Sequence, residues 1–328
     1  MITTATKSIS VVIPTLGQSN ALLDLLKSIA EQKLDGFFEI LIIDNSQEES
    51  IFKDLEKLIA PFRQNVTLLR SPYKGVNYAR NVGILESQSQ VLFFVDDDCW
   101  LNDKFLLAKH IQLHAKHEEC FAIGGYYTLA AGSTFLDNCY HQIQMQWLQK
   151  GVFDIKNNYS HYLIGGHCSV KKSVLSENNL QFDPNIVYGG SEVSLFMKAD
   201  RLGLTMRLEN LSLVHRPNVS YLGLVKKLFN QGQGKAYLEG QAAKLSTSQQ
   251  PIQETLIMDA QQPLFKTAFI YFLNLIFWLG YYKKQGQILS IFKHIPKEFI
   301  GNMQQKRFEA LKKIEDQLEE KKKRGDRL

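Results

Sequence analysis

The chain is poor in cysteine, and the few it has are far apart. Cys99, Cys120, Cys139 and Cys168 form no C-x-x-C pair, which argues against a disulfide framework and reads as free thiols in a reducing compartment. The first residues, "MITTATKSIS", lack the basic-then-apolar design of a secretory leader, so the expectation is a cytoplasmic location. No apolar run reaches the roughly 20 residues of a spanning helix. The most apolar stretch, "TAFIYFLNLIFWLGYY" (267–282), is shorter and carries Asn274 in mid-run. It reads either as a packed terminal helix or as an interfacial one, with Trp278, Tyr281 and Tyr282 at headgroup level and Lys283 and Lys284 beyond. Peripheral contact with the inner face of a membrane therefore stays open. There is no internal repeat. Nor is there a strong charge of one sign spread along the chain: the net value is +5, and much of the Lys and Arg sits in the last stretch, "QQKRFEALKKIEDQLEEKKKRGDRL". Such a tail suits phosphates or anionic lipid better than nucleic acid, which is not expected as a partner.

What is present is a core. Hydrophobic residues make up 45% of 328, enough for one large α/β domain with an appendage. Over the first hundred residues, apolar runs alternate with amphipathic ones. "ISVVI" (9–13), "FFEILII" (37–43), "VTLL" (66–69) and "VLFFV" (91–95) read as buried strands. Between them, a helix with Asn20 as N-cap, the segment "IFKDLEKLIAPF" as far as Pro61, and "VNYARNVGILES" read as helices. Repeated βα units imply a largely parallel sheet, and ligands bind such sheets beyond the carboxyl ends of the strands. Thr15, Asp44 with Asn45, Ser71, Lys74 and Asp96 to Asp98 all follow strand ends, so all are expected on one rim.

The second half is more mixed. A helix is expected over 133–150, a strand broken by a glycine pair over 161–170, an amphipathic helix over 191–203 closed by Gly203, and a short strand "LSLVH" (211–215). "QAAKLSTSQQPIQETLIMDAQQP" reads as a polar connector. His110, His114 and His117 share a helical face near Cys120, a spacing able to bind zinc, but a solvated face is the preferred reading. "QMQW" (144–147) reads as core packing.

Three consecutive aspartates in "FFVDDDCW" (93–100) carry the sharpest chemical signal. Alone they would read as a turn. Mg²⁺ and Mn²⁺ take one or two protein carboxylates together with phosphate oxygens and water. In an extended segment Asp96 and Asp98 would point one way and Asp97 the other.

The ordered set "VVIPTLGQ", "EILIIDNS", "KGVNYARNVGI", "VLFFVDDDCWL", "YLIGGHCSVKKSVL", "FDPNIVYGGSEVSLFMKADRLG" and "VHRPN" resembles a family-2 glycosyltransferase with the GT-A fold. It covers Ile9 to Asn218, about two-thirds of the chain. The resemblance implies an α/β fold with a mostly parallel, Rossmann-like mixed sheet over residues 1–220, and leaves 221–328 as a helical extension, membrane-associated or oligomerising. It implies an inverting transfer of a single sugar from a nucleoside-diphosphate sugar, a UDP-sugar, to a hydroxyl acceptor in surface polysaccharide or glycolipid synthesis, assisted by Mn²⁺ or Mg²⁺. The acceptor would be a glycan or a lipid-linked glycan.

Roles carry over residue by residue. Pro14 and Thr15 resemble the first nucleotide-contacting turn, and Asp44 the carboxylate that recognises the base. In "KGVNYARN", Gly75, Arg80 and Asn81 fall on the nucleotide side, with Lys74 in place of the usual Asn. Asp96 and Asp98 match the D-x-D, Asp98 as the metal ligand, with Asp97 between them at the donor. Gly165 and Gly166 match a "GGN" loop near the transferred sugar, with His167 where Asn is usual. His215 stands where a further metal or diphosphate ligand is found. In "GGSEVSLFMKADRLG", Glu192 occupies the place of the catalytic Asp and becomes the expected general base. Two other classes share parts of this pattern: a nucleotidyltransferase, and a nucleotide-sugar-binding scaffold without catalysis.

Overall fold

Four strands begin the architecture because four apolar runs are bounded by turn residues on both sides. The structure, a computed structural model, describes residues 8–17, 19–186, 192–244, 264–288 and 290–291. The polar connector from residue 245 and the basic tail lie outside them. The first half runs β1 (Ser8–Thr15), α1 (Ser19–Ala30), β2 (Phe37–Asp44), α2 (Glu49–Ile59), β3 (Val66–Arg70), α3 (Val76–Glu86), β4 (Val91–Val95) and β5 (Cys99–Trp100). Next come α4 (Leu106–Lys116), β6 (Cys120–Leu129), α5 (Phe135–Gly151), β7 (Val152–Asp154), β8 (Tyr159–Ser160), β9 (His167–Lys171), α6 (Lys172–Glu177), α7 (Val193–Arg201) and β10 (Thr205–His215). Two long helices close the described chain, α8 (Tyr221–Lys244) and α9 (Leu264–Gln285).

The strands form one mixed sheet in the order β3-β2-β1-β4-β9-β6-β10-β8-β7, with β5 paired to β10. β1, β2, β3 and β4 are parallel, and β9 runs antiparallel to both β4 and β6. Alternation explains why the central strands are apolar throughout. Ile9, Val11 and Ile13 of β1 join Phe93 of β4 and Leu22 of α1 on one face, while Val12, Leu41, Phe94 and Ala79 pack on the other. Each fully buried side chain of this size stabilises the fold by about 1.5–3 kcal/mol. On the second face α3 comes unusually close: a Cβ at Gly83 would lie 2.2 Å from Val12 Cγ1.

From β1 the chain builds outward through β2 to β3, then crosses back to place β4 on β1's other side. That reversal opens a crevice beyond the ends of β1 and β4, where open α/β sheets hold their ligands. β9 starts at the same rim, because His167 pairs with Val95 at the end of β4.

Several expectations change. The stretch from His161 to Gly166 is not strand; β9 begins only after the glycine pair. "LSLVH" is the end of an eleven-residue strand, kinked by a register shift between Leu208 and Ser212. α1 already includes Ser19, so Asn20 lies inside the helix rather than at its cap. Strand β6 falls in a stretch the sequence pattern leaves unassigned.

The chain divides into two compact units between Ser220 and Tyr221. In the second unit α8 and α9 pack at the closest backbone approach side chains allow. A Cβ at Gly232 would lie 1.9 Å from the Phe277 carbonyl oxygen, and one at Gly280 would lie 2.0 Å from that of Phe229. Ile270, Leu273, Asn274 and Phe277 are buried, and Asn274 Nδ2 donates to the Ile270 carbonyl at 2.8 Å. No helix among the described residues is long and apolar enough to cross a membrane.

Candidate active site

Beyond β4 the three aspartates turn rather than extend: the Cys99 N–H donates to the Asp96 carbonyl at 3.2 Å. The expected two-against-one alternation therefore does not apply, and each carboxylate takes its own direction. Asp96 Oδ1 accepts from Arg80 Nη2 at 2.8 Å. Asp97 Oδ2 accepts from Thr15 Oγ1 at 2.5 Å, tying the end of β4 to the end of β1. Asp98 Oδ2 lies 3.4 Å from His215 Nε2, and the Cys99 thiol points at Asp98 Oδ1 over 3.6 Å.

Burial and like charge shape this triplet. Asp97 is pushed up to about 7, first by burial and then by Asp98, against the opposing hydrogen bond from Thr15. Arg80 is only 3% exposed, and burial alone would make its charge harder to keep. The carboxylates of Asp96 and Glu192 outweigh that cost and raise its pKa. Arg80 also lies over the Phe182 ring, 5.4 Å from its centroid.

The glycine pair closes the site from the β9 side. A Cβ at Gly165 would lie 2.8 Å from Glu192 Cβ and 2.9 Å from Arg80 Nη1. A Cβ at Gly166 would lie 2.3 Å from both Asp96 Oδ2 and the Tyr127 hydroxyl oxygen. Arg80, Asp96, Glu192, Gly165 and Gly166 thus meet at one point, although they come from α3, the β4 turn, the start of α7 and the loop before β9. Glu192 opens α7, where its carbonyl accepts from the Leu195 and Phe196 N–H groups at 3.1 and 3.2 Å. The glycines and serine before it lie outside the described residues.

At the far end of the rim Asp44 is fully buried. Its Oδ1 accepts from the Ser46 N–H at 2.9 Å and hydroxyl at 2.6 Å, while Arg70 Nε approaches Oδ2 at 3.5 Å. Gly75 caps α3 with φ of 142°, and its N–H donates to Asn45 Oδ1 at 2.8 Å.

Three expected residues sit elsewhere than on the open rim. Pro14 lies buried within β1, paired with Ile43, so Thr15 is the first residue to reach the edge. Asn81 spends both ends of its amide on Phe182, donating to its carbonyl at 2.9 Å and accepting from its N–H at 3.0 Å. That pairing fixes the chain leading toward α7 against α3. His167, which replaces an Asn, points into the interior: it is fully buried, with Nδ1 2.9 Å from the Tyr126 carbonyl.

His167 packs against His110, with ring centroids 5.7 Å apart, and so adjoins a helix face that sequence reasoning placed in solvent. His110 and His114 are 0% and 5% exposed rather than on a solvated face. His110 Nδ1 and His114 Nε2 both meet Ser169 Oγ, at 2.8 and 2.9 Å. Burial holds His114 down to about 3 and His167 to about 4, and lowers His110 well below the ordinary range. His117 ends the helix half-buried, 3.6 Å from Glu119.

Tyr127 and Cys99 are the site neighbours that sequence reasoning did not select, whereas Asn45 stands on the rim as expected and accepts from the Gly75 N–H. Tyr127 packs on His215 with ring centroids 4.4 Å apart. The only signal for Tyr127 and Cys99 was position beside strand ends. Among the described residues, Asp98, Cys99 and His215 form the one group whose ligand atoms all lie within 4.8 Å of one another.

The sequence pattern described as Glycosyl transferase family 2 matches residues 10–178, half of the chain. An uncharacterized glycosyltransferase, YfnE of Bacillus subtilis, is 32% identical over 115 residues, 35% of this chain and 29% of that protein. The poly(ribitol-phosphate) β-N-acetylglucosaminyltransferase TarS of Staphylococcus aureus is 26% identical over 98 residues, 30% of this chain and 17% of TarS. The chain thus spans less than a third of these relatives' length. Among solved structures, the mannosyltransferase PcManGT from Pyrobaculum calidifontis, in complex with GDP-Man and Mn²⁺, superposes with a TM-score of 0.58 at 13% identity, over 90% of this chain and 77% of that one. TarS 1–349 gives 0.52 at 15% identity, over 89% and 82%. At such identity these structures speak for the fold alone. Together with the family match over residues 10–178, they identify the chain as a glycosyltransferase of family 2 with the GT-A fold.

Proposed function

We propose that the chain transfers a single sugar, with inversion, from a nucleoside-diphosphate sugar to a hydroxyl acceptor, and that Glu192 is the general base. The observation that carries this reading is the meeting of Glu192, Arg80 and Asp96 around two glycines, whose missing side chains let these three groups close on the backbone. The donor classes seen with neighbours support it: PcManGT was solved with GDP-Man and TarS with UDP-GlcNAc. A UDP-sugar is the donor proposed here.

In this reading Asp44, with Ser46 and Arg70, forms the base end of the pocket, and Thr15, Asp97 and Gly75 line its middle. Asp96, oriented by Arg80, faces the donor's ribose and sugar. Glu192 accepts the proton of the acceptor hydroxyl as that oxygen attacks the anomeric carbon. Gly165 and Gly166 let Arg80, Glu192, Asp96 and Tyr127 approach the backbone where any Cβ would collide with them. Asp98 and His215 suit a divalent cation, since a carboxylate oxygen and an imidazole nitrogen 3.4 Å apart offer it two donors at once. Asp98 and His215 would hold such an ion where it would supply positive charge to the donor's diphosphate. Residues 1–220 carry the chemistry. The helices beyond serve acceptor access, oligomerisation or peripheral membrane contact, and surface polysaccharide or glycolipid synthesis is the proposed setting.

Glu192→Gln tests the base. The variant should lose at least about 10²-fold in turnover while binding UDP as the parent does. Turnover equal to the parent's would remove Glu192 from the mechanism.

A further inference from the structure

Cys99 has no place in the reading above, yet its sulfur sits inside the candidate cation site. It is fully buried, its Sγ lies 3.6 Å from Asp98 Oδ1, and it pairs directly across the β5–β10 ladder with His215. One ligand atom from each of Asp98, Cys99 and His215 falls within 4.8 Å of the others. In a tetrahedral zinc-type site, donors at about 2.0–2.3 Å from the metal stand roughly 3.5 Å apart. The three side chains are therefore about an ångström from closing on one ion. A rigid scaffold holds them: the ladder pins Cys99 to His215, and the Arg216 N–H donates to the Asp98 carbonyl at 2.9 Å.

Oxygen, nitrogen and sulfur donors select different ions. Hard Mg²⁺ and Mn²⁺ use the carboxylate and leave a thiol alone, whereas Zn²⁺, Co²⁺ and Cd²⁺ gain strongly from a thiolate. We propose that Asp98, Cys99 and His215 together form a three-donor site for a thiophilic divalent cation, with Cys99 supplying a ligand that a pure carboxylate site lacks. The proposal rests on the reading of Asp98 and His215 as cation ligands and adds the sulfur. On binding, the S–H bond of Cys99 breaks, its proton leaves to buffer, and a metal–sulfur bond forms without any change of oxidation state. A hard ion would leave that proton in place.

Cobalt titration of the full chain reads this directly, without activity. Wild type should develop a thiolate-to-cobalt charge-transfer band in the near ultraviolet that saturates at one equivalent. Cys99→Ser should lose the band and bind Zn²⁺ at least about tenfold more weakly, while its Mn²⁺ affinity shifts less than about twofold. The other three cysteines are also buried, so a band that survives in Cys99→Ser overturns the proposal. Cobalt binding in wild type with visible d–d bands but no charge transfer also overturns it, and leaves the Asp98–His215 reading standing. Binding of neither Co²⁺ nor Mn²⁺ sinks both. Cadmium NMR on the wild-type chain asks the same question without a variant: a sulfur-shifted resonance supports the site, and a resonance typical of oxygen and nitrogen ligands refutes it.

Discussion

Acidifying the solution from about pH 7.5 to about pH 5.5 asks the buried imidazoles around Ser169 to take up protons, and the fold resists. His114 is the best single probe. It is 5% exposed, its Nε2 meets Ser169 Oγ at 2.9 Å, and burial, with the nearby Lys171 charge, lowers its pKa to about 3. An unfolded chain returns it to about 6.5. The folded value is the depressed one, so the unfolded state binds more protons between the two values. The stability tied to the neutral ring is complete above about 6.5 and is lost as pH falls toward about 3. Over those two pH units the loss integrates to about 1.4 kcal/mol for this one residue. His110 and His167 act in the same sense, whereas Asp97, held up at about 7, acts in the opposite one. A wild-type curve alone would mix these contributions. The comparison with His114→Leu isolates one of them, because Ser169 keeps His110 and the Ile123 carbonyl as partners. Urea unfolding at a series of pH values should show the variant losing about 1.4 kcal/mol less than wild type over this interval, whatever its offset at about pH 7.5. Parallel stability curves for the two proteins would refute the buried, neutral His114.

Two glycine replacements test close contacts in separate parts of the chain. Gly166→Ala places a methyl 2.3 Å from Asp96 Oδ2 and the Tyr127 hydroxyl oxygen, and should cut sugar-transfer rates by at least about tenfold with the circular dichroism spectrum unchanged. Initial rates at parental level would show that the site yields there. Gly232→Ala drives a methyl into the Phe277 carbonyl, where backbone cannot step aside, and should destabilise the α8–α9 pair by about 1–3 kcal/mol in thermal melts. An unchanged melting curve would mean the two helices do not pack through that glycine.

The central strands were legible because burial on both faces leaves its mark on every residue. Ile9 to Ile13 and Val91 to Val95 alternate between the two cores without a polar break except Ser10, so a continuous apolar run bounded by turns is enough to recognise them. Strand β6 escaped for the opposite reason: "CFAIGGYYTL" carries a glycine pair in mid-strand, where a Cβ at Gly125 would meet His167 and the Leu211 carbonyl. That constraint comes from β9 and β10, far along the chain. The His110 face failed similarly. Two imidazoles spaced four apart look solvated until Ser169, 59 and 55 residues away, supplies the hydroxyl that lets them be buried. Periodicity reports which residues share a face, but not what covers it.

The aspartate triplet marks where position ends and pairing begins. Three adjacent carboxylates at a strand end were readable, and so was their rim. Their directions were not, because repulsion between unit charges about 4 Å apart amounts to several kcal/mol near a protein surface, and groups from other elements must offset it. Thr15, Arg80 and His215 are among those groups, brought in by β1, α3 and β10. They also rank the three carboxylates as landing places for a cation. At Asp96 an ion would compete with the Arg80 guanidinium at 2.8 Å, trading one positive charge for another. At Asp97 it would have to break the Thr15 hydrogen bond and displace a proton held to about pH 7. At Asp98 the nearby imidazole and thiol are themselves metal donors, so an ion gains partners there instead of displacing them. On the proposed reading, a cation drawn to the triplet would settle on the side where Cys99 and His215 already stand.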